Sequence, residues 1–153
     1  YGGEAEYATL AEVKRSVGIP VVANGDIDSP QKAAAVLRQS GADAVMIGRA
    51  AMGRPWLFGQ VAAYLERGVL LPDPAPEQWR DWLFAHLDDH YALYGEAIGV
   101  RTARKHVGWY VAALPEGETF RRHFNTLGSA AEQLVALRGF LDPGSNQAAP
   151  LAA

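Results

Sequence analysis

Cysteine is missing altogether from the 153 residues, which excludes disulfides, thiolate metal ligands and a cysteine nucleophile within them. No apolar run approaches the roughly 20 residues that a membrane-spanning helix needs. The opening Tyr1-Gly2-Gly3-Glu4 has neither the basic n-region nor the apolar h-region of a secretory signal, so a cytoplasmic chain is expected. An initiator Met is lacking as well, and the chain is expected to be a piece of something longer. There is no internal repeat and no strong overall charge. The net charge of −3 hides a local contrast, however: residues 71–100 carry −5 and residues 101–125 carry +3. What is present in quantity is apolar material, 49% of residues against 20% charged, enough to core one ordinary domain or two small ones.

The pattern changes character part-way along. Residues 7–17 space Tyr7, Leu10, Val13 and Val17 as a helix does, with Gly18 placed to end it. Residues 19–23 and 42–47 are short continuous apolar runs, expected as strands buried on both faces. Between them Ser29-Pro30 supplies an N-cap and a proline at N1, and Gly41 closes the helix so opened. A third helix is expected from about Pro55 to Arg67-Gly68. The order α-β-α-β-α belongs to parallel α/β folds, and two parallel strands cannot stand alone. The expected architecture is therefore the last two β-α units of a (β/α)₈ barrel over residues 1–67.

Residues 68–76 hold three prolines and read as a linker. Residues 77–141 then read as an all-helical bundle. Trp79, Trp82, Leu83, His86, Leu87, His90, Tyr91 and Tyr94 form one unbroken helical stripe, followed by Gly95. Residues 101–114 put Ala103, Val107, Tyr110, Val111 and Leu114 on one face. A further stretch starts near Phe120, and Ser129-Ala130-Ala131-Glu132 is a capping box for a last helix burying Ala130, Leu134, Leu137 and Leu141. Residues 142–153 are expected to be a disordered tail.

Two features carry chemistry. Asn24-Gly25-Asp26 follows the first strand and Gly48-Arg49 the second. Glycines there let backbone approach a ligand closely, and N–H groups beside a helix start favour a phosphate dianion; the loops after the last strands of a barrel commonly do this. Either glycine alone reads as turn punctuation; one β-α unit apart, the pair reads as a phosphate pocket, with Arg49 adding a charged donor. The second feature is basic. Arg101, Arg104, Lys105 and Gly108 share about 100° of helical arc, and Gly108 is expected to leave that face flat enough for a phosphate backbone. Arg121 and Arg122 extend it, and Trp109 falls at its edge. The residues alone leave open whether this is an RNA surface or a solvated face. His86 and His90 stand at i, i+4, but inside the aromatic stripe and without a glutamate after the first, so they read as core or interface residues and no metal is expected.

Residues 19–27, 41–51 and Gly53-Arg54-Pro55-Trp56 resemble the tRNA-dihydrouridine synthase family, its bacterial B-type branch above all. The similarity continues through Arg104-Lys105-His106-Val107-Gly108-Trp109-Tyr110 and Phe120-Arg121-Arg122-His123-Phe124-Asn125. The resemblance implies FMN-dependent reduction of uridine in tRNA with NADPH as reductant. It assigns Asn24, Gly25, Asp26, Gly48 and Arg49 to the flavin's phosphate end, and makes Arg101, Arg104, Lys105, Arg121 and Arg122 candidates for tRNA contact. The family's proton-donating cysteine belongs to earlier barrel strands, so this chain alone is expected to be inactive; the full-length protein is expected to be a monomer. The competing readings are another FMN- or phosphate-binding barrel enzyme, and an RNA-binding module only.

Overall fold

A computed structural model describes residues 6–142; the expected tail, beyond Asp142, lies outside the described residues. The chain divides into two compact units after Asp73.

The first unit runs α1 (Tyr7–Ser16), β1 (Val22–Asn24), α2 (Pro30–Ser40), β2 (Ala44–Met46), a 3₁₀ turn (Arg49–Ala51) and α3 (Leu57–Arg67). The strands pair in parallel, with Val22 opposite Ala44 and Asn24 opposite Met46. Asp43 fixes their start. Its Oδ2 accepts from Val21 N and from Lys14 Nζ, each at 2.7 Å, and its own N–H donates to the Val21 carbonyl. The Lys14 ammonium and the Val21 N–H hold the Asp43 carboxyl below the usual carboxylate range. α2 begins as its sequence dictates, with Ser29 Oγ accepting from Lys32 N and Pro30 at N1, and ends at Gly41 with φ 66°. α2 packs against both α1 and α3. Around it Ala23, Ile27, Ala33, Val36, Leu57 and Val61 form a small core.

Two expectations fail here. Gly18 does not cap α1, because the helix already ends at Val17 in an extended conformation. Nor are the strands buried on both faces: β1 alternates exposed, buried, exposed, and Val22 and Met46 stand about half in solvent. Helices cover one face of the two-stranded sheet, and nothing among the described residues of this unit covers the other.

The second unit contains α4 (Pro76–Val111), α5 (Gly117–Phe124) and α6 (Ala130–Leu141). α4 is broken at Gly95, whose φ 71° and ψ 172° are non-helical. A straight helix would place His90 and Thr102 about 18 Å apart at 1.5 Å per residue. Their side chains instead meet at 2.7 Å, so residues 76–94 and 96–111 fold back on each other as a hairpin. Gly99 permits the close approach, since a Cβ there would lie 3.0 Å from the Tyr91 ring. The core joins Leu83, Leu87, Ala103, Val107, Val111, Phe120, Phe124 and Leu137. The expected stripes supply nearly all of it, although Ala130, Leu134 and Leu141 are only partly buried. The capping box of α6 is complete: Ser129 Oγ accepts from Glu132 N, and Glu132 Oε2 accepts from Ser129 N at 3.0 Å. No helix among the described residues is long and apolar enough to cross a membrane.

Candidate phosphate cleft and basic face

The strand register places Gly25 and Gly48 just past the paired ends of β1 and β2, on one edge of the sheet. Between these loops lies an open cleft of about 530 Å³, lined by residues 24–28, Met46 and residues 48–50. All five residues expected at a phosphate site, Asn24, Gly25, Asp26, Gly48 and Arg49, face it together. Asn24 Nδ2 donates to the Met46 carbonyl at 3.1 Å and so locks the two strand ends. Gly25 has φ 136° and Asp26 φ 44°, a tight turn that glycine makes possible. At Gly48 φ is −105°, outside the left-handed region, and an added Cβ would meet nothing within 4 Å. Arg49, 74% exposed, reaches Asp26 Oδ1 at 3.2 Å. Helix starts add less than expected, since α2 begins four residues after Asp26 and only the three-residue 3₁₀ turn follows Gly48. Sequence reasoning missed Tyr7, whose hydroxyl donates to the Gly25 carbonyl at 2.7 Å and pins the loop to α1. Its place in the apolar stripe of α1 concealed that polar contact.

The basic residues do not form one uniform surface. Arg101 and Lys105 are exposed, one turn apart, and Lys105 Nζ lies 4.9 Å from the centre of the Trp109 ring. Arg104 is half-buried, donates to the Leu127 carbonyl at 3.2 Å, and keeps its Nε buried without a hydrogen-bond partner among the described residues. Gly108 is not an open flat spot. It is buried, and a Cβ there would come within 3.1 Å of Arg121 Cδ, so the Arg121 stem occupies the space expected for a phosphate backbone. Arg121 is held by two 2.8 Å bonds to Glu118, which also lies 3.9 Å from Arg122 Nε.

The family model described as "Dihydrouridine synthase (Dus)" matches residues 1–143. The chain belongs to the dihydrouridine synthase family. Among its relatives, the tRNA-dihydrouridine synthase B of Xanthomonas campestris pv. campestris is 55% identical over 142 residues, which are 93% of this chain and 43% of that protein. Its counterpart in Pseudomonas aeruginosa is 48% identical over all of this chain and 46% of its own length, and that of Vibrio vulnificus 49% identical over 93% and 44%. This dihydrouridine synthase chain thus spans less than half the length of the curated relatives it matches. The family resemblance read from residues 19–56 and 104–125 agrees with these matches.

Two polar groupings in this family member escaped the sequence reading. Gln133 is fully buried in α6, accepting from the Tyr91 hydroxyl at 2.7 Å and donating to the Val100 carbonyl at 3.1 Å. The other arises from the hairpin, which brings His106 to His86 and His90, with ring centres 4.9 and 5.1 Å away. Burial, with neighbouring His90, holds the His86 imidazole below the usual histidine range, and burial with His86, His90 and Lys105 does the same to His106. No pattern within either half of α4 could announce a pairing made by folding at Gly95.

Proposed function

We propose that this chain supplies the FMN-phosphate cleft and the tRNA-facing helices of an enzyme that reduces uridine to 5,6-dihydrouridine in tRNA, with NADPH as reductant. In this reading the first unit closes a (β/α)₈ barrel and the enzyme works in the cytoplasm as a monomer. The observation that carries it is the family match along nearly the whole chain, with relatives whose names state both the product and tRNA.

The cleft suits a phosphate end. The open space in front of Gly48 is room that a Cβ would narrow, and the Gly25 turn brings backbone to the same edge. Arg49 donates charge-assisted hydrogen bonds to the phosphate oxygens, and Asp26 orients its guanidinium. The Asp26 carboxylate is engaged by Arg49 rather than aimed at the phosphate, which it would repel. Tyr7 and Asn24 keep the loop and the strand ends from shifting when the anion binds. FMN held at its phosphate end by Asn24, Gly25, Gly48 and Arg49 would supply the hydride for reduction of the C5–C6 double bond of uracil. The chain has no cysteine and so supplies no thiol proton donor itself. Arg101, Lys105 and Trp109, with Arg122 beyond them, meet the tRNA backbone and an unstacked base or ribose.

Fluorescence titration with FMN and with riboflavin tests the cleft, since the two differ only in the phosphate. FMN is expected to bind more tightly. Arg49→Ala should weaken FMN by roughly 10- to 100-fold, the value of a charge-assisted hydrogen bond, and leave riboflavin unchanged. Equal affinity for the two flavins would overturn the assignment.

A further inference from the structure

We propose that His86, His90 and His106 form a binding site for a divalent first-row transition metal, Zn²⁺ above all. One ring nitrogen from each of the three lies within 4.8 Å of the other two. His86 and His90 are one turn apart on the first half of α4, and His106 comes from the second half, returned by the break at Gly95. Tetrahedral coordination at about 2.0–2.1 Å sets ligand nitrogens about 3.3 Å apart. The rings therefore need to draw in by roughly 1.5 Å to reach that separation, and His86 and His106, both only half-buried, have the side-chain freedom to do so.

His90 is already oriented as metal-bound imidazoles usually are. The Thr102 hydroxyl has one proton, which it directs to the Ile98 carbonyl at 2.8 Å. His90 Nε2 lies 2.7 Å from the same hydroxyl oxygen; the tautomer in which Nε2 donates to it leaves the Nδ1 lone pair for a ligand. The Asp89 carboxylate favours a cation at His86, whereas the Lys105 ammonium, which opposes one at His106, lies 4.9 Å from the Trp109 ring centre. Three neutral imidazoles with no thiolate favour Zn²⁺, Cu²⁺, Ni²⁺ or Co²⁺ over Mg²⁺ or Ca²⁺, and water completes the coordination. A bound ion would join residues 86 and 106 across the hairpin and hold its halves together.

The chain has four histidines, and the fourth, His123, is exposed on α5 and outside the cluster, which provides an internal control. After treatment with EDTA and dialysis, the protein is titrated with ZnCl₂ and with CoCl₂. One Zn²⁺ per chain is expected, together with visible d–d absorption from Co²⁺ and a melting midpoint raised by roughly 5 °C or more at saturation. His86→Gln and His106→Gln should each weaken Zn²⁺ at least about tenfold, since each removes one of three ligands, while His123→Ala leaves binding unchanged. Far-UV circular dichroism of the metal-free variants confirms that they fold. The site is refuted by absence of saturable binding up to about 100 µM Zn²⁺. It is refuted equally if both Gln variants, folded, bind as the parent does, or if His123→Ala abolishes binding.

Discussion

Gln133 sits fully buried with both ends of its amide engaged, and Tyr91 gives up its hydroxyl proton to it. Removing one partner of such a pair strands the other. Tyr91→Phe should therefore destabilise the helical unit by about 1–3 kcal/mol in denaturant unfolding, with Gln133→Leu at least as damaging because the Val100 carbonyl also loses its donor. Burial, with the charges of Glu96 and Asp88, pushes the Tyr91 phenol from its ordinary 10.0 up to about 12. The folded state thus holds this proton longer than the unfolded chain. The stability it contributes is complete below pH 10 and is lost as pH rises through about 12. A spectrophotometric titration should show late-ionising tyrosines, because burial also raises the Tyr110 phenol, and Tyr91→Phe should remove one of them. Sequence pattern could not supply this pair, because periodicity counts apolar positions and registers a glutamine among them as surface. Arg104 was hidden the same way: its place on the polar arc shows charge, while its bond to Leu127 exists only once the loop after α5 returns. Its truncation should lower stability as well as RNA affinity. Lys105→Ala should leave stability nearly unchanged and reduce the salt slope of tRNA binding by about one. An unchanged slope would remove Lys105 from the RNA surface.

Elements were more legible than their contacts. Ser29-Pro30, Gly41, Gly68 and Ser129 with Glu132 mark helix ends that the fold uses, because a cap is a local arrangement of a few residues. Gly18 misled because the chain leaves α1 extended rather than through a left-handed residue. Gly95 was visible as the residue after a stripe, but what it does there was not: it turns one apparent 36-residue helix into a hairpin. Its φ and ψ lie in a region essentially reserved for glycine, so Gly95→Ala should cost about 1–3 kcal/mol of unfolding free energy. Ser129→Ala, losing one cap, should cost about 1 kcal/mol. If Gly95→Ala proved as mild as the cap variant or milder, the hairpin would not depend on this backbone conformation.

At the scale of the molecule, the five residues grouped from the sequence line one cleft, because a glycine after each of two neighbouring strands is a feature of topology as much as of sequence. The burial of those strands was overestimated, since a chain shorter than half its relatives need not contain what covers them. The two units differ in what holds them. The α/β unit rests on Ala23, Ala33 and four aliphatic side chains, whereas the helical unit buries two phenylalanines, three leucines, two valines and Ala103. At about 25 cal/mol per Å² of apolar surface, the second core is the stronger. Calorimetry of the chain should therefore resolve two transitions, with the α/β unit melting first. A ligand raises only the transition of the unit that binds it. FMN should then shift the lower transition and leave the upper in place, and Zn²⁺ should do the reverse. A single transition, moved equally by both, would mean that the units fold as one cooperative body and that neither ligand's place can be read from heat alone.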